Sequence, residues 1–421
     1  MSWGTNVLVG QSGGPTAVIN SSLAGVYEAA KALGAAHVYG MEYGIQGLLQ
    51  GKIVDLDDRL DDKMEIELLK RTPSSYLGSC RFKLPNPATD ERPFVQLFEL
   101  FAKYCIGAVF YIGGNDSMDT IAKLSAYGAA KGSEIRFIGV PKTIDNDLAL
   151  TDHCPGFGSA AKYIAASCME LSLDSSVYFN GAITVVEIMG RNAGWLTAAS
   201  AIAAFNGHGP DLIYVPEIPF DISAFMDDVS AVYNRKGDCF VAVSEGIKDK
   251  DGKYISEYAS GLATEQDSFN HKQLGGVGAF LASYVKVHTK AKVRAIEFSL
   301  LQRCASHIAS KTDVEEACLA GTEAVRAAVD GESEVMICFK RAADKNGNYL
   351  CETSRVPLCE VANEEKTLPM EFISPTNNFI SEKYLGYVLP LIQGESAPPF
   401  ENGTPRYAKL KRIKPEPKLC K

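Results

Sequence analysis

The sequence predicts an α/β fold, with parallel sheets covered on both faces by helices. Three observations carry that reading. Short β-rich runs end in glycine or acidic turns, helical patterns follow those turns, and the strands are apolar throughout instead of alternating with polar residues. The first unit is Asn6-Val7-Leu8-Val9, then the turn Gly10-Gln11-Ser12-Gly13-Gly14-Pro15, then a helical pattern from Ala17 to Leu33. The same order recurs at Ala108 to Ile112, where Gly113-Gly114-Asn115-Asp116-Ser117 leads into a helix ending near Lys131. A further strand, Arg136 to Val140, runs into Pro141-Lys142-Thr143-Ile144-Asp145-Asn146-Asp147. A right-handed crossover makes these strands parallel, so their following loops emerge at one sheet edge. Ligands of open α/β sheets bind beyond the carboxyl ends of the strands, where the Gly13-Gly14 turn also lies.

A second α/β block begins near Phe157. Its predicted strands are Ala182 to Ile188, Leu212 to Val215, Phe240 to Ser244 and Val293 to Phe298. Its predicted helices are Ser159 to Leu173, Ala193 to Phe205, Ile222 to Asn234 and Gln273 to Thr289. A helix from Lys311 to Ala328 and a strand from Val335 to Phe339 follow, and the remaining chain is rich in Pro and Glu. Two similar Rossmann-like lobes facing each other across a cleft are expected.

Composition narrows the function classes. The 421 residues are 46% hydrophobic and 22% charged, which suits a globular protein and excludes collagen-like or disordered chains. Forty-two Lys+Arg against 51 Asp+Glu give a net charge of -9, with no basic stripe for nucleic acid or a membrane surface. The basic tail from Lys409 to Lys418 reads as a solvated end. Eleven cysteines without a CxxC pair signal neither a zinc site nor a disulfide framework, and buried reduced thiols are expected. There is no signal-peptide pattern and no apolar run of about 18 residues, so a cytoplasmic protein is expected.

Two segments carry chemistry. A glycine pair between a strand and a helix N-terminus lets backbone amides approach an anion, although a tight packing turn needs glycine as well. Pro141 to Asp147 places two carboxylates two residues apart, interleaved with Lys142, Thr143 and Asn146. That set offers a base, metal-capable oxygens and phosphate donors, as phosphoryl transfer requires. Asp, Asn and Pro also form solvated turns, and the residue types alone leave both readings open.

The order of seven motifs goes further. Gly13-Gly14, Leu77-Gly78-Ser79-Cys80-Arg81, Gly113 to Ser117, Pro141 to Asp147, Met189-Gly190-Arg191, Glu245-Gly246 and Gln302-Arg303 resemble the phosphofructokinase family over residues 5 to 340. The resemblance implies a phosphoryl-donor lobe at residues 1–156, completed by 303–355, and a fructose 6-phosphate lobe at 157–302. The placement of an extension at 356–421 is left open. It also implies that Asp145 is the general base for the sugar 1-hydroxyl, flanked by Thr143 and Asp147. Glu245, Met189, Gly190 and Arg191 match sugar contacts, Arg294 and Arg303 the holders of the sugar 6-phosphate, and Arg81 an arginine on the transferred phosphate. Gly13 and Gly14 fall to the donor, Mg²⁺ is the implied cofactor, and a homo-oligomer, dimer or tetramer, is the implied assembly.

Departures from the ATP-dependent members point to the donor. Asp116 and Lys142 stand where those members have glycines. The Asp116 carboxylate would crowd a nucleotide α-phosphate, while the Lys142 ammonium suits a shorter donor. A lysine-phosphate contact at roughly 4 Å contributes on the order of 4 kcal/mol per unit charge at an effective dielectric near 20. This pair resembles the pyrophosphate-dependent branch and implies reversible phosphoryl transfer from pyrophosphate in glycolysis and gluconeogenesis. Asp116 as a plain helix cap is the bland alternative for that residue. An ATP-dependent phosphofructokinase and a non-catalytic regulatory subunit are the alternatives for the whole chain.

Asn115 replaces the family's metal aspartate, which leaves Asn115 and Asp116 as the candidate metal ligands. Ala182 and Leu300 replace an arginine and a histidine on the sugar phosphate, and Asn378, Lys383 and Tyr384 are the suggested substitutes. Ala24 and Glu28 occupy helix turns where bacterial ATP enzymes bind effectors with arginine, so control by those anions is not expected.

Overall fold

A computed structural model describes residues 3–60, 62–177, 179, 181–259 and 276–409. Along the chain, β1 (Asn6–Gln11) leads to α1 (Ile19–Ala32). Then come β2 (Val38–Met41), α2 (Gly44–Leu49), β3 (Ile53–Asp55), α3 (Lys63–Lys70) and α4 (Arg92–Lys103). The second strand-turn-helix unit is β4 (Ile106–Gly113), α5 (Asn115–Ala130) and β5 (Arg136–Pro141). The next block is α6 (Phe157–Ser175), β6 (Ile183–Ile188), α7 (Trp195–Ala199), α8 (Ala201–Phe205), β7 (Leu212–Tyr214) and α9 (Ile222–Lys236), followed by β8 (Cys239–Ser244), α10 (Ser256–Ala259), α11 (Val277–His288) and β9 (Val293–Glu297). After α12 (Leu301–Cys304) and α13 (Lys311–Val329) come β10 (Val335–Ala343), β11 (Tyr349–Pro357) and α14 (Lys383–Val388).

The strands form a seven-stranded sheet in the order β11-β10-β5-β4-β1-β2-β3 and a four-stranded sheet in the order β7-β8-β6-β9. All pairs inside the four-stranded sheet are parallel, and in the larger sheet only β2-β3 and β10-β11 are antiparallel. The α/β class predicted from apolar strands is therefore found, and the side-chain period of two explains why those strands are apolar on both faces. Val7, Val9, Phe110 and Ile138 enter one core under α1 and α13, whereas Leu8, Val109, Tyr111 and Phe137 enter the opposite core with Phe94 and Leu97 of α4. In the second sheet, Val186 and Ile188 face one core, and Ile183 and Val185 face the other.

Helix ends follow ordinary chemistry. Asp221 caps α9 by accepting from the Ser223 and Ala224 amides, and Gly237 in the left-handed region stops it. The single helix expected over Ala193 to Phe205 is two, because the Ser200 hydroxyl donates to the Thr197 carbonyl at 2.7 Å and interrupts the backbone ladder. α13 returns to the first lobe and packs on α1 through paired glycines. A Cβ on Gly25 would lie 2.1 Å from the Cys318 carbonyl, and one on Gly321 would lie 2.1 Å from the Ser22 carbonyl. Ala24 is buried in this contact, and Glu28 pairs with Lys70 at 2.9 Å.

The chain after β11 straps both lobes. Leu358 and Val361 enter the core beneath α5, while Tyr384, Val388 and Leu391 enter the core of the second lobe with Phe157 and Trp195. Cys80, Cys154, Cys168 and Cys239 are buried free thiols. No helix among the described residues is long and apolar enough to cross a membrane. The start of the helix predicted from Gln273 and the basic tail beyond Lys409 lie outside the described residues.

Candidate active site

Gln11 of β1 is in register with Ile112 of β4, and Gly113 with Pro141 of β5, so three turns open at one sheet edge. The first is held by the Leu77 to Arg81 segment. The Ser79 hydroxyl donates to the Gly13 carbonyl at 2.6 Å, and the Gly13 amide donates to the Cys80 carbonyl at 3.1 Å. Gly13 has a φ of 76°, and a Cβ there would sit 3.2 Å from Lys142 Nζ; a Cβ on Gly14 would sit 3.2 Å from an Arg303 guanidinium nitrogen. The glycine pair thus makes room for two cations.

The acidic loop after β5 is pinned on each side of its carboxylates. Thr143 Oγ1 accepts from the Asp145 amide at 3.0 Å. Asn146, fully buried with a φ of 57°, donates to the Tyr387 hydroxyl at 2.7 Å and accepts from the Cys154 amide at 2.9 Å. The Asp147 carbonyl accepts from the Lys366 amide at 2.7 Å. With its backbone fixed in this way, the loop turns the side chains of Asp145 and Asp147 to a shared cavity.

From the second lobe, Met189-Gly190-Arg191 follows β6 and Glu245 follows β8. The Ser244 hydroxyl donates to the Gly190 carbonyl at 2.5 Å, the Gly190 amide donates to Glu245 Oε1 at 3.3 Å, and the Met189 amide donates to Gln302 Oε1 at 3.2 Å. Gln302 therefore supports the loop after β6 while its neighbour Arg303 faces the cleft.

The cavity between these elements has a volume of about 420 Å³. Gly13, Gly14, Arg81 and Lys142 line one side of it, with Asn115 and Asp116 at the first turn of α5. Thr143, Asp145, Asp147 and Arg303 stand between the lobes, and Met189, Arg191 and Glu245 close the far side. Gly190 supports the wall through Glu245 and is not itself among the lining residues. Arg303, matched in sequence to the sugar phosphate, instead brings its guanidinium beside Gly14 in this state.

Charges in the cavity perturb one another. Burial pushes the Lys142 ammonium down to about 8 against the pull of Asp145 and Asp147, and Arg303 and Arg81 push the same way. Burial and the nearby Arg81 lower Arg303 as well. Burial raises Asp145, opposed by Lys142 and Arg191. Asp147 is raised to about 7 by burial and by the carboxylates of Asp145 and Glu365. Glu245 is raised to about 7, again chiefly by burial, with Asp145 and Glu187 adding to it. Three crowded cations facing crowded carboxylates make a site poised for an anion on one side and a proton acceptor on the other.

Several sequence expectations are not brought to this cavity. Arg294 lies on edge strand β9, its guanidinium pairs with Asp174 at 3.1 Å, and it is absent from the lining. Asn115 lines the cavity, but its carboxamide accepts from the Asn363 amide at 2.6 Å and donates to the Glu364 carbonyl at 2.5 Å, which makes it a tether for the C-terminal segment. Tyr384 is buried with its hydroxyl on the Trp195 carbonyl, Asn378 bonds Asp228, and the Lys383 ammonium lies near Glu371; none of the three lines the cavity.

Other lining residues have no counterpart in the sequence reading. Lys83, Asn192, Asn363 and Glu365 all face the cavity. The Asn192 side-chain Nδ2 donates to both Glu365 carboxylate oxygens, at 3.1 and 3.0 Å, so the C-terminal strap is tied to the second lobe as well as to α5. Lys83 and Asn192 sit beside recognised motifs, at Arg81 and Arg191, and that adjacency was the available signal. Glu365 lies in an acidic stretch without periodicity and had none.

The family profile described as Phosphofructokinase matches residues 6–328. The chain is 42% identical over 419 residues to the pyrophosphate–fructose 6-phosphate 1-phosphotransferase of Halomonas elongata, covering 98% of each chain. It is similar to the crystal structure of a pyrophosphate-dependent phosphofructokinase from Nitrosospira multiformis, with a TM-score of 0.88, 39% identity and 99% of each chain covered. The corresponding protein from Marinobacter aquaeolei superposes with a TM-score of 0.86 at 39% identity, covering 99% of this chain and 98% of that one. Ordered motifs, two α/β lobes and a charged cleft between them agree with the profile: the chain belongs to the phosphofructokinase family.

Proposed function

We infer that the protein transfers a phosphoryl group reversibly from pyrophosphate to the 1-hydroxyl of fructose 6-phosphate, giving fructose 1,6-bisphosphate and phosphate. The observation that carries this reading is the convergence of Lys142 and Arg303 on the Gly13-Gly14 turn, with Arg81 close by and Asp145 across the cavity. Lys142 and Asp116, the two positions that part from ATP-dependent members, both line that cavity. The names of the relatives at 39 to 42% identity support the same donor.

The proposed roles follow from the chemistry of each group. Asp145 accepts the proton of the attacking hydroxyl, and Lys142 and Arg81 stabilise charge on the phosphoryl oxygens and the leaving phosphate. Glu245 and the Met189 to Arg191 loop orient the sugar. Magnesium is the proposed cofactor; Asp116, Asp147 and Glu365 offer hard carboxylate oxygens in the cavity lining, although these do not all lie within 4.8 Å of one another. When bound, it would neutralise charge on the pyrophosphate oxygens. Residues 1–156 with 303–355 are the proposed donor lobe, and 157–302 the proposed sugar lobe.

We also propose a homo-oligomer that uses the β9 edge. Phe179, Val177, Leu300 and Leu301 are exposed near that edge, and Arg294 pairs there with Asp174. A second copy on this surface would accept Arg294 into its sugar-phosphate site, consistent with its absence from the lining of its own cavity. The proposed substrates are intracellular sugar phosphates, which favours a cytoplasmic enzyme.

Parallel assays of purified protein with fructose 6-phosphate and either pyrophosphate or ATP test the donor. Pyrophosphate is expected to give a kcat/KM at least about 10²-fold higher, roughly 2.7 kcal/mol in transition-state stabilisation. Equal use of ATP would sink the reading.

A further inference from the structure

His153 follows the acidic loop and is 2% exposed. Its Nδ1 lies 2.9 Å from Asp152 Oδ2, and its Nε2 lies 2.7 Å from Glu316 Oε2 on α13. A ring with a carboxylate on each nitrogen needs an N–H on each, because a neutral imidazole would aim a lone pair at one of them.

Every polar neighbour of the ring is itself charged or held by a hydrogen bond. Asp152 also receives Arg341 of β10, from Nε at 3.2 Å and from an Nη at 3.0 Å. Glu316 Oε1 accepts from the Tyr349 hydroxyl of β11 at 2.7 Å, and Cys351 Sγ lies within 4.8 Å of the His153 and Glu316 ligand atoms. Lys366 directs its ammonium to the Asp152 carbonyl at 2.8 Å. Two carboxylates, Asp152 and Glu316, therefore share the ring, with the Arg341 guanidinium and the Lys366 ammonium on the Asp152 side. Burial opposes a charged ring, but the hydrogen bonds to Asp152 and Glu316 outweigh it and hold His153 above its ordinary value. Contacts with His153 and Arg341 bring Asp152 down to about 2 despite its burial.

This cluster is joined to the reaction loop. The Tyr387 hydroxyl donates to the Asp152 carbonyl at 2.8 Å and accepts from Asn146 Nδ2 at 2.7 Å. Asn146 sits between Asp145 and Asp147, so the path from the imidazole to the two carboxylates passes through Asp152, Tyr387 and Asn146.

We propose that His153, held as an imidazolium between Asp152 and Glu316, is a positioning residue that fixes the loop carrying Asp145 and Asp147. Its role in turnover rests on the phosphoryl-transfer function inferred above, but its hold on the loop does not. The stabilisation is complete below the ordinary pKa of 6.5 and is lost as pH rises through the higher native value.

Three measurements on the full chain decide the proposal. In ¹⁵N NMR of histidine-labelled wild type at neutral pH, the resonances that vanish in His153→Gln should report two protonated ring nitrogens. A ring protonated on Nδ1 alone, with the proton on Glu316, would overturn the charged form. In hydrogen exchange, His153→Gln should speed the amides of 143–154 at least tenfold while those of β8 stay unchanged; unaltered loop exchange would overturn positioning. In steady-state kinetics, His153→Gln should lower kcat at least tenfold with KM for fructose 6-phosphate within threefold. The neutral pair His153→Gln with Glu316→Gln should recover at least a third of the lost rate. A lower Tm with unchanged kcat would make the residue merely structural. Absence of turnover in the wild type itself would count against the inferred reaction, and loop exchange would then decide the proposal about His153.

Discussion

The ammonium of Lys142 donates to the carbonyl oxygen of Gly14 at 2.7 Å, joining the loop after β5 to the turn after β1. A single side chain thus connects two segments 128 residues apart in the chain. Because burial brings its pKa to about 8, Lys142 is charged at neutral pH and neutral a little above it. In free enzyme, kcat/KM for pyrophosphate should fall tenfold per pH unit above about 8, and a flat profile to pH 10 would refute the assignment. The sign for stability is opposite. Between about 8 and the ordinary 10.5 the unfolded chain holds the proton and the native one does not, so this group's contribution rises with pH. Lys142→Gly should lower pyrophosphate turnover about 10²-fold.

Asp116 lies in the first turn of α5 and lines the cavity. Asp116→Gly removes the carboxylate expected to oppose a nucleotide α-phosphate, and ATP kcat/KM should improve at least tenfold, roughly 1.4 kcal/mol. If ATP use is unchanged while the melting temperature falls, Asp116 is a helix-terminal residue only.

Asp145→Ser should reduce kcat by about 10²- to 10⁴-fold, the usual weight of base catalysis, while fructose 6-phosphate still binds. Calorimetric titration of the variant checks the binding half. A variant that keeps more than a tenth of kcat would remove Asp145 from the role of base.

Arg294 gives a test of assembly. Arg294→Ala and Asp145→Ser proteins should each be poorly active alone. Unfolded together and refolded as hybrids, they should regain activity, because one site in a mixed dimer then has an intact base and a partner's arginine. No recovery, with mixed dimers verified by mass spectrometry, would place Arg294 outside the reaction.

How far the sequence reached depended on how local each feature was. The strands from Asn6, Ala108, Arg136 and Val335 were legible because burial on both faces makes them apolar throughout. β11 was not, since its stretch Cys351-Glu352-Thr353-Ser354-Arg355 is polar and half-exposed, and its partner strand gives it its place. Motif residues such as Asp145, Glu245 and Arg303 were recognisable by order and sit together. Glu365 was invisible because a strap more than 200 residues from Asp147 carries it there, held by Asn115 and Asn192. Arg294 was matched to the sugar phosphate by family resemblance, but on edge strand β9 its guanidinium pairs with Asp174 and does not line the cavity, which chain order could not say.

The return of the chain to complete the larger sheet has a consequence for biosynthesis. β10 pairs with β5 at Val335 and Met336, after all four strands of the smaller sheet have been made. On the ribosome, β6 to β9 can therefore close their own sheet while β5 still presents an open edge of unpaired backbone N–H and C=O groups. Until residues 335–357 emerge and cover it, that edge is the surface on which a nascent chain would pair wrongly with a neighbour. A slowed translation segment or a chaperone contact has most to protect in the interval between β9 and β10.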